Sequence, residues 1–243
     1  MTLILIENMK KDFLTNLECD CDGSGIIYDK DTNSAKNCKC VKVKRAFEMI
    51  EKSDISQRIF ENSLENYVPQ SEKQKEAVKV CREYLKSPDT SVIFLGGSGT
   101  GKTHLTVSLM KELLLKHYKS VKYESYISLI NELKMLKFDQ ENFTKRMEEL
   151  KRCDYLIIDD MYKASIKEGN IAQNELALMY DIINYRVNQR KPMIISSEYT
   201  LKEFNAVDEA ITGRLITDAK DRIITFDRKE KNYRYEQFKN NSQ

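Results

Sequence analysis

The residues from 96 to 103, Gly96-Gly97-Ser98-Gly99-Thr100-Gly101-Lys102-Thr103, fit the pattern G-x-x-x-x-G-K-[ST]. The chemistry of that pattern is phosphate binding. A run of glycine-rich backbone N–H groups wraps a polyphosphate, the start of the next helix adds its positive end, and the lysine reaches the β- and γ-phosphates. Thr103 then offers its hydroxyl to magnesium, and His104 is counted with the nucleotide-binding run by position. Neither His104 nor His117 is read as a metal ligand. Such a loop needs a carboxylate at the end of a buried strand. Tyr155-Leu156-Ile157-Ile158-Asp159-Asp160 supplies two, Asp159 to hold magnesium through its water shell and Asp160 to polarise an attacking water.

A second cluster is sulfur. Cys19-x-Cys21 and Cys38-x-Cys40 are separated by sixteen residues and surround Gly23 and Gly25, whereas Cys81 and Cys153 stand alone. Four thiolates suit a tetrahedral zinc ion that staples a segment too small to own a core, the alternative being four free thiols without a role.

These groups need a frame, and periodicity supplies one. A helical linker is read from 41 to about 60, and an amphipathic helix from 71 to 86 with Ser71 as its N-cap. Apolar strands are then read at 91–95, 121–125, 154–159, 192–196 and 222–226. Between them lie helices from Lys102 to about 116, at about 126–136, on to about 151, at 171–190 and at 200–219. Strands alternating with helices imply an α/β fold, a five-stranded parallel sheet with helices on both faces. The division expected is a cysteine-rich unit over 1–50, a linker over 51–70 and a phosphate-loop core over 71–243.

Composition narrows the class. The chain has 243 residues, 41% hydrophobic and 32% charged, enough for one core domain and a small appendage. A net charge of +2 does not announce a nucleic-acid coat protein, so any such contact must be local. No run approaches the length of a membrane span and the start is too short an apolar patch for a signal peptide, so the expected location is the cytoplasm.

With these motifs in place the chain resembles the AAA+ ATPases, and more narrowly the helicase loaders of the DnaC/DnaI type. The resemblance covers most of the chain and rests on SLENYVP (63–69), FLGGSGTGKTHL (94–105), YLIIDDMY (155–162), INYRVNQRKPMIISSEYT (183–200) and AITGRLI (210–216). The same order is similar to the IstB transposition helpers, and the cysteine pairs favour the loaders. The resemblance implies ATP bound with magnesium between subunits of a homo-oligomer. It makes Arg214 an arginine finger acting on the neighbour's nucleotide, with Arg186 as the rival candidate. It also implies zinc in the N-terminal unit, docking on a replicative helicase of the DnaB type, and contact with single-stranded DNA in phage or mobile-element replication. Where the family commonly carries an asparagine that senses the γ-phosphate, this chain has Glu198, preceded by Ser196 and Ser197, so the expectation is that Ser197 or a water takes that role or that the glutamate orients the water instead. Asp160 replaces a common glutamate, and its shorter reach suits slow hydrolysis. Residues 227–243 are too few for a helical lid, which implies a reduced core.

For DNA the candidates are Lys134, Lys137, Lys145, Arg146, Lys151 and Arg152, together with the tail Arg228, Lys229, Lys231, Tyr233, Arg234, Tyr235 and Phe238. Basic residues beside aromatics pair with phosphates while stacking bases. Two other classes compete with the loader. A small-molecule phosphotransferase would need an acceptor pocket and an arginine-rich lid, neither of which is visible, and a passive adaptor is disfavoured by intact Lys102, Thr103, Asp159 and Asp160.

Overall fold

The computed structural model describes residues 7–8, 10–11, 14–51, 61–163 and 171–227. In chain order it runs through a hairpin, β1 (Ile26–Asp29) and β2 (Ser34–Asn37), then α1 (Lys39–Glu51) and α2 (Glu72–Lys86). There follow β3 (Val92–Gly96), α3 (Lys102–Leu115), β4 (Val121–Ser125), α4 (Tyr126–Leu136), α5 (Gln140–Arg152) and β5 (Tyr155–Asp159). The last elements are α6 (Gln173–Asn188), β6 (Met193–Ser197), α7 (Leu201–Val207), α8 (Glu209–Ala219) and β7 (Ile223–Phe226).

Strands β3 to β7 form one parallel sheet in the order β4-β5-β6-β3-β7. Its central strands β3, β5 and β6 are buried on both faces, as a parallel sheet under two helical layers requires, while the edge strands β4 and β7 are partly exposed. Alternation along each strand divides the core. Val92, Phe94, Tyr155, Ile157, Ile194 and Ile224 pack with α2, α3 and the α1 residues Val43 and Phe47. Ile93, Leu95, Leu156, Ile158, Met193 and Ile195 pack instead with α4, α5, α6, α7 and α8.

Local signals start the helices where the sequence places them. The Ser71 hydroxyl accepts from the Gln74 N–H at 3.2 Å and caps α2, and Thr200 with Glu203 forms a reciprocal capping box on α7. The expected strands agree within a residue or so at each end. The linker helix differs more, beginning at Lys39 between the second pair of cysteines rather than at 41. The hairpin between the cysteine pairs was not anticipated, because SAKN in β2 has no alternation to read. Its residues are all exposed. Residues 52–60 of the linker, and the tail of 228–243 with its basic and aromatic candidates, lie outside the described residues.

Candidate functional site

The phosphate loop leaves β3 and enters α3 as a tight backbone cradle. Gly96 has φ +109°, and a Cβ there would lie 2.0 Å from the Phe226 carbonyl oxygen of β7, so only glycine fits. Gly101 caps α3 at φ +95°, with the Tyr67 ring where a Cβ would stand. The far side of the loop is clamped, since the Tyr67 hydroxyl and Gln74 Nε2 both donate to the Thr100 carbonyl, at 3.1 and 3.2 Å. Lys102 Nζ folds back to the carbonyls of Gly96 and Gly97, each at 2.7 Å. Burial pushes its pKa down to about 8 against the opposing pull of Asp160, Glu198 and Asp159. A phosphate in the cradle would supply the counter-charge this ammonium lacks.

Strand order brings the acids to the loop. β6 lies between β3 and β5, and the register Ile158↔Ile195 sets Asp159 level with Ser196. Asp159 is buried and accepts from three hydroxyls: Thr103 at 3.2 Å, Tyr123 in the middle of β4, and Ser196. The Thr103 hydroxyl and the Asp159 carboxylate thus meet at one point, and oxygen ligands of this kind suit magnesium with its remaining shell of water. The next residue, Asp160, turns out of the strand with φ +56° and pairs with Lys163 Nζ at 2.9 Å. The same ammonium reaches Glu198 at 3.1 Å.

These groups line one cleft of about 610 Å³, within the size range of small-molecule sites, and it includes Ser98, Gly99, Thr100, Gly101, Lys102, Thr103 and His104. Its other wall comes from 61–68, including Asn62, Asn66, Tyr67 and Val68. His104 does not face a metal. Its Nε2 lies 2.9 Å from the Ser63 carbonyl and 3.1 Å from Asn66 Oδ1, with Tyr67 edge-on at 5.0 Å, so it ties this segment to α3.

Three expectations change. Ser197 cannot stand in for a phosphate sensor, because its buried hydroxyl donates to the Met161 carbonyl at 2.7 Å, and the neighbouring Ser196 serves Asp159. Arg186 cannot be a finger. It is fully buried, and its guanidinium donates to the carbonyls of Leu150, Lys151, Cys153, Asp154 and Pro192. The basic stretch is largely spent inside the chain. Arg146 pairs with Glu124 and Glu132, Lys134 with Glu175, Lys151 with Asp181 and Arg152 with Glu148, which leaves Lys137 and Lys145 outside the described ion pairs.

Arg214 is not among the residues lining its own chain's cleft. It sits on α8, its guanidinium 4.5 Å above the Tyr180 ring of α6, bonded to Tyr180 Oη at 2.6 Å and Asn184 Oδ1 at 2.9 Å. Sequence reasoning missed Lys163 and Gln74 in the cleft lining, and the Tyr123 and Ser196 hydroxyls that bond to Asp159. Tyr123 and Ser196 had only strand parity as a signal, and parity does not name the strand next door.

Outside the cleft lining, the four cysteines converge. Sγ–Sγ distances are 3.1 Å for Cys19–Cys21, 3.3 Å for Cys19–Cys38 and 3.6 Å for Cys21–Cys40, and all four sulfurs lie within 4.8 Å of one another. A tetrahedral zinc with sulfurs at about 2.3 Å sets them about 3.8 Å apart, so the cluster fits that ion. Backbone hydrogen bonding from Cys40 brings the Cys38 thiol down to about 6, while burial raises Cys40 to about 12.

Comparison with known proteins now decides the family, since the profile of "IstB-like ATP binding protein" matches residues 44–237. The chain belongs to the IstB-like ATP-binding family. Among curated relatives, the Bacillus subtilis protein YqaM, described as uncharacterized, is 29% identical over 92% of this chain and 73% of its own length. The replicative helicase loader DnaC of Escherichia coli is 27% identical over 58% of this chain and 57% of its own. The crystal structure of the DnaC helicase loader superposes with a TM-score of 0.60 at 22% identity, covering 70% of this chain and 98% of that one. That likeness establishes the AAA+ P-loop fold. Among the described residues, no helix is long and apolar enough to cross a membrane.

Proposed function

We propose that this IstB-like protein is a magnesium-dependent ATPase that loads a DnaB-type replicative helicase onto single-stranded DNA. One observation carries the ATPase reading: Lys102, Thr103, Asp159 and Asp160 line a single cleft at the carboxyl ends of β3 and β5. Lys102 holds the β- and γ-phosphates, Thr103 and Asp159 hold magnesium, and Asp160 orients the attacking water. Magnesium, when bound, screens the phosphate charge. Arg214 of an adjacent subunit in a homo-oligomer stabilises charge on the transferred group, which requires it to leave Tyr180.

Loading is supported by the DnaC relative and by the cysteine cluster, which builds a separate surface at the hairpin for the helicase. The family profile's own name favours a second reading, an IstB-type helper that recruits a transposase. Both readings are tested by immobilising the full chain with ATP and offering a replicative helicase, a transposase and single-stranded DNA. The loader reading expects ATP-dependent retention of the helicase, lost in Lys102→Ala together with tight nucleotide binding. Retention of the transposase alone overturns it.

A further inference from the structure

Of the four carboxylate residues lining the cleft, Glu61 belongs to the 61–68 wall, and Asp159, Asp160 and Glu198 gather at the strand ends where a triphosphate is to bind. Asp159 is matched by three hydroxyls and, in the proposed reaction, by magnesium. Asp160 and Glu198 have no such cover, and each would repel a terminal phosphate at close range. Between them stands Lys163, whose Nζ is 2.9 Å from Asp160 Oδ2 and 3.1 Å from Glu198 Oε1. Two lysines line the cleft among the described residues, and Lys102 is committed to the loop side.

Position selects the phosphate that Lys163 can reach. Thr103 and Asp159 would hold magnesium for the end of the triphosphate, and Asp160, one residue further, would meet an attacking water beyond the γ-phosphate. An ammonium held by Asp160 is therefore beside the γ-phosphate and remote from a diphosphate whose groups end in the loop. The side chain is 42% exposed and on a flexible four-carbon stem, so it can exchange partners without disturbing the core.

We propose that Lys163 is the γ-phosphate recognition residue of this cleft, poised by Glu198 and released from Asp160 when a triphosphate binds. The inference rests on the nucleotide reading of the cleft. Lys163 moves from Asp160 toward the γ-phosphate while Glu198 keeps its other side, and Asp160 is freed to orient water. One ammonium thus reads the terminal phosphate and unmasks the carboxylate that acts on it. Glu198, half-buried just after β6, is the anchor of a donor placed on the loop after β5.

The test is equilibrium binding of ADP and of a non-hydrolysable ATP analogue, both with magnesium, to wild type, Lys163→Met, Lys163→Arg, Glu198→Gln and Lys102→Ala. Lys163→Met is expected to lose roughly 10- to 100-fold in analogue affinity, the worth of a charge-assisted hydrogen bond, with ADP affinity unchanged. Lys163→Arg should keep the preference, and Glu198→Gln should lose a smaller part of it. An analogue-to-ADP ratio in Lys163→Met equal to wild type overturns the inference, as does equal weakening of both ligands. Loss of both ligands in Lys102→Ala leaves the nucleotide site standing in either case. A Lys102→Ala protein that binds both as wild type overturns the nucleotide reading and this inference with it.

Discussion

The cleft and the cysteine hairpin both collect reactive side chains at short range, but on different footings. At the cleft, β3, β5 and β6 are buried along their whole length, and two layers of helices fix where their ends emerge. At the hairpin, β2 is exposed throughout, β1 shows Ile26 and Tyr28 to solvent, and the cysteine sulfurs are the common point of the surrounding chain. A core pre-organises the first site, whereas the second depends on what its own ligands grip. The junction lies in α1, where Cys38 and Cys40 sit one to three turns before Val43 and Phe47, which enter the core on α3.

If that contrast is right, metal removal is the largest perturbation and acts on one side only. The purified chain should carry one zinc. Stripping it with a chelator, or replacing Cys19 and Cys38 with serine, forfeits binding free energy of about 10 kcal/mol, the scale of structural zinc in small domains. Trypsin should then cut at Lys30 and Lys36 while ATP affinity stays unchanged. A hairpin that resists trypsin without metal would break the comparison.

Next in size are changes that leave the cleft folded but remove its chemistry. Asp160→Asn should retain ATP and lose turnover. Arg214→Ala should bind its own ATP normally and lose about 10³-fold in rate within an assembly. Mixing Arg214→Ala with Lys102→Ala chains, in the presence of single-stranded DNA and helicase, should restore part of the activity. A mixture that assembles and stays inactive removes Arg214 from that role.

The smallest expected effect concerns the frame behind the cleft. Arg186→Met leaves five carbonyls at the end of α5 and around Pro192 without their donor, at a cost of about 3 kcal/mol. Thermal unfolding should show a melting temperature lower by roughly 6–12 °C. The zinc content should be unaffected, because this network reaches Cys153 but none of Cys19, Cys21, Cys38 and Cys40. An unchanged melting temperature would mean that Arg186 is not part of the frame.

The phosphate loop was legible because its chemistry lies within eight consecutive residues, and the strands were legible because apolar runs between helix signals leave few alternatives. Asp159 was legible from its place at the end of the most apolar strand. Arg186 was not, because an arginine inside an amphipathic helix reads as surface, and the carbonyls that bury it come from residues more than thirty positions earlier as well as from Pro192. The basic stretch of α5 failed for the same reason, since three of the glutamates and aspartates that consume its charge, Glu124, Glu132 and Asp181, lie on other elements.

By itself the sequence determined the local grammar of this protein: which segments are strands or helices, where a phosphate can be wrapped, and which residues bear charge or sulfur. The tertiary structure decided which of these meet. The order β4-β5-β6-β3-β7 inserts β6 between the loop strand and the acid strand, turning Ser196 toward Asp159 and Ser197 away from it. It likewise sets Glu198 opposite Lys163, thirty-five residues earlier in the chain. The physical reason is that a strand's alternation fixes the face each side chain takes, while the neighbour across that face is chosen by the packing of the whole sheet.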